Sequence, residues 1–201
     1  MSLHILGYDP GSVHRWAALL KFGGPKPLLI AVYEVPESRD GVTLVLQQAN
    51  ANRDGEVVVA VERPKGVAHG TDAAQVKGKG KNLLETMNAA ERFASIAWSR
   101  GHRVIELTAA EVRAIFCHDK SASDSMVRKS VEANVIGRVT EGAEHVQDAE
   151  AIAVVVGVKL TKYRIVYPTA LFKAKAKRAS RKATTKLAPS VRKAMEEQGF
   201  L

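Results

Sequence analysis

The chain has 201 residues, of which 46% are hydrophobic and 25% are charged, and this composition suits one globular domain with a sizeable core. Its formal net charge of +9 favours a polyanionic partner, most simply nucleic acid. The single cysteine, Cys117, excludes an internal disulfide framework and a cysteine-based zinc cluster, so a reducing, cytoplasmic compartment is expected. No apolar run is long enough to span a membrane, and no signal peptide is expected.

The first part of the chain predicts three short strands, a helix and a fourth strand. Apolar runs at 3–8, 16–22 and 28–35 are separated by turns that contain proline or glycine, which is typical of an antiparallel meander. Residues 41–52 form the first predicted helix. Residues 56–62 are β-branched and almost continuously apolar, so both faces of this strand are expected to be covered.

The second part predicts a long helix, a strand and three further helices. Residues 81–100 carry apolar side chains at helical spacing. A strand at 103–107 leads to a short helix, which opens with a capping box that begins at Thr108. Helices at 123–135 and 144–160 follow, and the last one is apolar enough to be buried.

The order of these elements predicts the fold class. The sequence β-β-β-α-β-α-β-α-α-α favours an α/β fold, in which helices flank both faces of a mixed five-stranded sheet. Charge divides the chain as well, because residues 171–201 hold nine basic and two acidic side chains and so carry most of the net charge. We therefore expect a domain at 1–170 and a basic, flexible tail at 171–201, with a purely solubilising tail as the alternative.

Basic residues in three places are candidates for binding a phosphate backbone. One group follows the fourth strand, one consists of lysines separated by glycines, and one lies in the tail. A plain solvated loop is the alternative for the second group. The candidate DNA-binding residues are Arg63, Lys65, Lys77, Lys79, Lys81, Lys173, Lys175, Lys177, Arg178, Arg181 and Lys182.

Three acidic residues lie at the ends of apolar elements. Asp9 ends the first predicted strand, Glu62 ends the fourth, and Asp148 lies in the first turn of the last helix. A buried carboxylate is costly unless it is paired or binds a cation, and Mg²⁺ prefers oxygen ligands. His145 precedes Asp148 by three residues and shares its helix face, as a further ligand or a proton carrier. Glu144 is an alternative to His145 at the metal.

Each of these residues also has a purely structural interpretation. Asp9 in Asp-Pro-Gly suits a turn, Glu62 could pair with Arg63, and His145 could cap its helix. The joint pattern in a basic protein favours a two-metal site. Two such ions, about 4 Å apart, activate a water and stabilise the leaving oxygen in phosphodiester cleavage.

Several segments resemble RuvC-type Holliday junction resolvases, which belong to the ribonuclease-H-like and retroviral-integrase-like nucleases. The resemblance covers roughly residues 3–157 and depends on the order and spacing of its motifs. The matching segments are 7–12 (GYDPGS) for the opening strand, 59–62 (VAVE) for the second acidic strand, 107–113 and 121–127 for the intervening region, and 145–153 (HVQDAEAIA) for the closing helix.

This resemblance implies a ribonuclease-H-like fold, a homodimer and Mg²⁺-dependent symmetric nicking of four-way DNA junctions. Two Mg²⁺ ions, with Mn²⁺ as an alternative, would be held by the four residues of the metal-binding set. Arg113 and Lys120 are expected to neutralise charge on the phosphate. The implied set of metal ligands is Asp9, Glu62, His145 and Asp148.

The chain departs from the family pattern at two positions. The family has a lysine near the position of Asp124, where the nearest lysine here is Lys120. No aromatic residue follows Glu62 at the place of the family's wedge. Both departures concern substrate preference and leave the acidic residues in place.

Three other functions remain open from the sequence. The first is a non-catalytic junction-binding or DNA-binding protein on the same fold. The second is a related ribonuclease-H-like nuclease that acts on RNA–DNA hybrids, flaps or packaged phage DNA. The third is an ATP-binding protein of the actin-like superfamily, which the absence of further glycine-rich phosphate loops disfavours.

Overall fold

A computed structural model of the chain describes residues 2–11, 14–64, 80–137 and 144–168. The chain divides into two units, Met1–Val166 and Tyr167–Leu201, and the elements below belong to the first unit. The expected domain boundary between residues 170 and 171 stays a prediction. Within the described ranges, no helix is both long enough and apolar enough to cross a membrane.

The described ranges contain five strands and five helices in the predicted order. In chain order they are β1 (Ser2–Asp9), β2 (Trp16–Phe22), β3 (Leu28–Glu34), α1 (Arg39–Ala51), β4 (Gly55–Glu62), α2 (Gly80–Ser99), β5 (Arg103–Leu107), α3 (Ala109–Cys117), α4 (Asp124–Asn134) and α5 (Glu144–Leu160). The first helix begins two residues earlier than predicted, because the Ser38 hydroxyl accepts a hydrogen bond from the Gly41 amide at 3.0 Å and caps it.

The five strands form one mixed sheet in the order β3-β2-β1-β4-β5. The first three pair as the predicted antiparallel meander, whereas β1 pairs with β4 and β4 with β5 in parallel. The register aligns Tyr8 with Val61. The residues that follow, Asp9 and Glu62, therefore end two neighbouring parallel strands side by side.

Alternation along the strands sends Asp9 and Glu62 to one face of the sheet. Tyr8 and Val61 pack in the core that α1 and α2 cover, where the Tyr8 ring stacks on Phe93 with 4.0 Å between centroids. The opposite face packs against α5, which α3 and α4 contact in turn. Because successive side chains point to opposite faces, Asp9 and Glu62 lie on the α5 side.

α5 packs closely against β1 and β2 because glycines lie at the points of contact between the helix and the strands. A Cβ atom at Gly7 would overlap the backbone carbonyl of Ala149, and one at Gly157 would overlap the ring of Phe22. Residues 149 and 157 lie eight positions apart and share one face of the helix. This close contact sets the depth of the helix that carries the last two candidate ligands.

The chain segment after α5 is held by a buried asparagine at the end of α4. Asn134 Nδ2 donates hydrogen bonds to the carbonyl oxygens of Ser130 at 2.7 Å and Val166 at 2.9 Å. Its Oδ1 accepts from the Tyr163 hydroxyl at 2.6 Å and the Val166 amide at 2.7 Å. Both polar atoms of this fully buried side chain are thereby satisfied.

Candidate metal centre

The ends of β1 and α5 bring three predicted site residues into one cluster. Asp9, His145 and Asp148 each offer one ligand atom, and these atoms all lie within 4.8 Å of one another. His145 Nδ1 lies 2.8 Å from Asp9 Oδ2, a hydrogen bond between residues far apart in the chain. A side chain at Gly11 would overlap the His14 carbonyl oxygen, and its Cβ atom would also crowd the ring at 3.3 Å from His145 Nδ1.

Glu62, the fourth predicted ligand, does not belong to this group of three, but it interacts electrostatically with Asp9 and Asp148. Burial first, and then the charges of Asp9 and Asp148, raise the pKa of Glu62 to about 7. The pKa of Asp148 rises to about 6 for similar reasons, with burial as the largest cause and Asp9 and Asp124 next. Carboxylates that repel one another in a partly dry site favour either protons or a cation between them.

The donor set fits a hard divalent cation. Carboxylate oxygens suit Mg²⁺ and Mn²⁺, and a cation among them would offset the repulsion that, after burial, raises both pKa values. The chain's one cysteine takes no part, because Cys117 is buried and its Sγ lies 3.7 Å from the Ser130 hydroxyl. The residues present could therefore hold one or more divalent ions.

Arg113 on α3 brings a positive charge close to the carboxylates. Its charge lowers the pKa of Glu62 and of Asp148, against the larger causes that raise them. Nη1 donates to the Ala122 carbonyl at 3.0 Å, and Nη2 donates to Asp124 Oδ1 at 2.7 Å. The guanidinium is thus held on the loop side of the site, beside the start of α4.

The start of α3 confirms the predicted capping box. The Thr108 hydroxyl accepts from the Glu111 amide at 3.2 Å, and the Glu111 carboxylate accepts from the Thr108 amide at 2.8 Å. This reciprocal pair fixes the first turn of the helix that carries Arg113. Lys120 follows α3 in an exposed turn, and its contact with a phosphate stays a prediction.

Arg63 directly follows β4, and its side chain forms ion pairs with residues of two neighbouring elements. Its guanidinium donates to Glu106 at 2.8 Å and to Glu91 at 3.3 Å. The alternative interpretation, in which Arg63 pairs with Glu62, gives way to two ion pairs that link the end of β4 to β5 and α2. Arg63 remains half exposed, and its role in DNA binding stays a prediction.

The other predicted DNA-binding residues fall beyond the described side chains. Lys81 lies in α2, but its side chain is outside the described part. The remaining basic candidates lie outside the described residues, as do residues 65–68 of the stretch that lacks the family's aromatic wedge. These candidates are Lys65, Lys77, Lys79, Lys173, Lys175, Lys177, Arg178, Arg181 and Lys182.

The resemblance marks position 124 as one where the family has a lysine, but the sequence does not indicate that Asp124 pairs with Arg113. Asp124 is the first residue of α4, and an acidic residue there already suits the positive end of a helix. That local explanation is sufficient, so nothing in the pattern points to Arg113 eleven positions earlier. A contact across an irregular loop has no periodicity from which it could be predicted.

Comparisons with known proteins identify the fold. No protein-family model matches the sequence, and no curated protein matches it. RuvC of T. thermophilus in complex with a Holliday junction substrate matches with a TM-score of 0.58 and 18% identity, over 78% of this chain and 94% of that chain. A second Thermus thermophilus RuvC structure matches with a TM-score of 0.56 and 19% identity, over 83% of this chain and 100% of that chain. At this low identity the likeness concerns the fold alone, and the chain has the α/β, RuvC-type fold that the resemblance predicts.

Proposed function

We propose that this chain is a structure-selective DNA endonuclease that resolves four-way junctions by paired, symmetric nicks through Mg²⁺-dependent phosphodiester hydrolysis. The observation that carries the proposal is the convergence of Asp9, His145 and Asp148, with Glu62 coupled to them, on a RuvC-type fold. The excess of basic residues supports a nucleic-acid substrate.

The acidic residues and His145 form the proposed metal-binding set. Asp9, Glu62 and Asp148 would hold the ion or ions through carboxylate oxygens, and His145 would complete the set. His145 also orients Asp9 through the 2.8 Å contact between Nδ1 and Oδ2. A bound divalent ion supplies the charge that activates a water and stabilises the leaving oxygen of a phosphodiester.

Basic residues around the carboxylates would bind the substrate's phosphates. A guanidinium is planar and can donate two parallel hydrogen bonds to a phosphate, so Arg113 suits the phosphate at the cleavage point. Lys120 would add a second charge from the neighbouring turn. Arg63 and the basic segments outside the described residues would hold the junction arms, because contacts to backbone phosphates position a protein without reading sequence.

Paired nicks require two copies of the site, which a symmetric homodimer would supply. The outer side of α2 favours such an interface, because Trp98 is 77% exposed and Leu84 is 58% exposed. These two residues lie fourteen positions apart, close to four helical turns, so they share one side of the helix. Trp98 also borders a shallow groove beside Val104 and Glu106 of β5. A second copy of this chain is the proposed occupant.

Cleavage assays on matched substrates test the proposal. The full chain is incubated with a four-way junction, a flap, an RNA–DNA hybrid and a duplex, each with Mg²⁺ and with EDTA. The proposal predicts paired, symmetric and religatable nicks in the junction, with Mg²⁺ alone. Preferential cleavage of the flap or the hybrid would favour a related nuclease. Tight junction binding without nicks under any metal would favour a non-catalytic DNA-binding protein.

A further inference from the structure

The positive charge of the candidate site is engaged by an acidic side chain of the chain itself. Arg113 Nη2 lies 2.7 Å from Asp124 Oδ1, with side chains that are 35% and 65% exposed. The pair therefore lies where the site meets solvent. A substrate phosphate that approached Arg113 would meet a guanidinium edge that a carboxylate already covers.

The two hydrogen bonds of Arg113 differ in how easily they can be exchanged. Nη1 donates to the backbone carbonyl of Ala122 at 3.0 Å, and that residue is buried and bonded through its amide to the Asp119 carbonyl at 3.0 Å. Nη2 instead donates to an exposed side chain, and exposed ion pairs contribute little to stability. Asp124 can therefore leave while the backbone contact keeps the guanidinium in place.

A carboxylate and a phosphate are interchangeable partners for this guanidinium edge. Both accept charge-assisted hydrogen bonds from the fork of an arginine. The negative charge of Asp124 also reaches the carboxylate cluster, since it raises the pKa of Asp148. When a substrate phosphate takes the place of Asp124 at Arg113, the Asp124 side chain would move away from the site. Its negative charge would then lie further from the carboxylate cluster.

We propose that Asp124 occupies the phosphate-binding edge of Arg113 in the free protein and is displaced by a backbone phosphate of the DNA substrate. This inference rests on the proposed function, because it takes Arg113 as the residue that meets the phosphate. Asp124 then weakens DNA binding, because its bond to Arg113 must be broken before a phosphate can take its place.

The test measures DNA affinity without metal, so that no cleavage interferes. Dissociation constants of the full chain for a labelled four-way junction and a duplex are measured in EDTA over a range of salt concentrations. Asp124→Asn keeps the size of the side chain and removes its charge, and it is expected to tighten junction binding about two- to fivefold. The gain should disappear in an Arg113→Gln background, as a double-mutant cycle requires of a coupled pair.

Glu132→Gln is the matched control. It removes the same charge from an exposed position further along α4 and should change the affinity less than Asp124→Asn does. The inference is overturned if Asp124→Asn binds no more tightly than wild type. It is also overturned if the gain equals that of Glu132→Gln or persists without Arg113. Circular dichroism verifies that each variant is folded.

The two proposals fail in different ways. The proposed function fails if the wild-type chain does not nick the junction with Mg²⁺. The role of Asp124 is measured without metal, as an affinity difference that depends on Arg113 and can be observed on duplex DNA as well. If the wild type fails to cleave, the affinity difference between wild type and Asp124→Asn can still be measured. If that affinity difference is absent, the cleavage result still stands.

Discussion

Asp9 and Glu62 lie near each other because they end two neighbouring parallel strands. They follow the aligned pair Tyr8 and Val61, and strand alternation turns both carboxyl groups to the α5 side. Asp148 reaches the same place from α5. Burial and mutual repulsion raise the pKa values of Glu62 and Asp148, which is the condition under which a divalent cation binds with most benefit.

The first prediction concerns the stability of the metal-free protein. The pKa values of Glu62 and Asp148 are raised in the folded state, to about 7 and about 6. Between the ordinary and raised values the folded chain binds more protons than the unfolded chain, so stability falls as pH rises through this window. Glu62→Gln should therefore stabilise the metal-free protein near pH 8, on the order of 2 kcal/mol, and flatten the pH dependence.

Urea unfolding in EDTA, at a series of pH values between about 5 and 8, measures this effect. Glu56→Gln is the matched control, because it lies exposed at the start of the same strand. Its pH dependence should follow that of the wild type. If Glu62→Gln also kept the wild-type slope, the buried carboxyl would not be the source of the pH dependence.

The sequence identifies the candidate ligands but not how they pair. The acidic candidates stand out because a carboxylate at the end of an apolar element is costly to bury unless it is paired or binds a cation. They are Asp9, Glu62 and Asp148. His145 follows from its spacing to Asp148. The hydrogen bond between His145 and Asp9 connects α5, the last described helix, to β1, the first strand. The bond from Arg113 to Asp124 crosses an irregular loop. Neither pairing follows from local patterning, because both depend on how distant elements pack.

At the scale of elements, the contact between α5 and β1 positions the site. Gly7 faces the backbone of α5 at Ala149, immediately after the turn that holds His145 and Asp148. Gly157 faces the side chain of Phe22 at the other end of the same helix. A side chain at Gly7 would be accommodated only if the backbone of α5 moved. A side chain at Gly157 would be accommodated by a shift of the Phe22 ring.

The second prediction compares these two glycines. Gly7→Ala should displace the start of α5, lower stability by about 1–3 kcal/mol and remove most of the rise in melting temperature that Mg²⁺ produces in the wild type. Gly157→Ala should cost stability but keep the rise with Mg²⁺, because Gly157 lies nine residues, about two and a half helical turns, beyond Asp148. Thermal unfolding with and without Mg²⁺ distinguishes them. A Gly7→Ala variant that binds Mg²⁺ like the wild type would show that this contact does not position the ligands.

Most of the element order is predictable from the sequence, because strong local signals mark it. Alternation and β-branching mark the strands, and the capping box at Thr108 marks α3. The pairing of β1 with β4 is less local. It follows once α1 connects β3 to β4, since a helical crossover lets a later strand lie parallel to an earlier one. The predicted start of α1 is wrong because the prediction placed it beside the first apolar residue of the helix and did not take Ser38 as the N-cap.

At the scale of the whole molecule, the third prediction concerns assembly. The full chain should be a dimer at micromolar concentration, and Trp98→Glu should make it monomeric by placing a charge in the proposed interface on α2. Leu44→Glu is the matched control, because Leu44 is 53% exposed on α1 and lies outside that interface. Sedimentation equilibrium measures both. A monomeric wild type, or a dimeric Trp98→Glu variant, would contradict the proposed surface.

The distribution of charge suggests that binding and cleavage are separable. The carboxylate cluster is small and local, whereas the basic residues are spread along the chain and concentrate towards its end. Phosphate contacts release counterions, so junction affinity should fall steeply with salt in any variant that keeps the basic residues. A change within the cluster should affect the chemistry far more than the affinity.

The most direct test of the account is therefore the Asp9→Asn variant, assayed for both binding and cleavage of a four-way junction. Asp9 contributes to the cluster and bonds to His145, and asparagine preserves its size while removing its charge. We expect Asp9→Asn to bind the junction with nearly wild-type affinity and to produce no nicks with Mg²⁺. Cleavage by Asp9→Asn at the wild-type rate would contradict the assignment of the site.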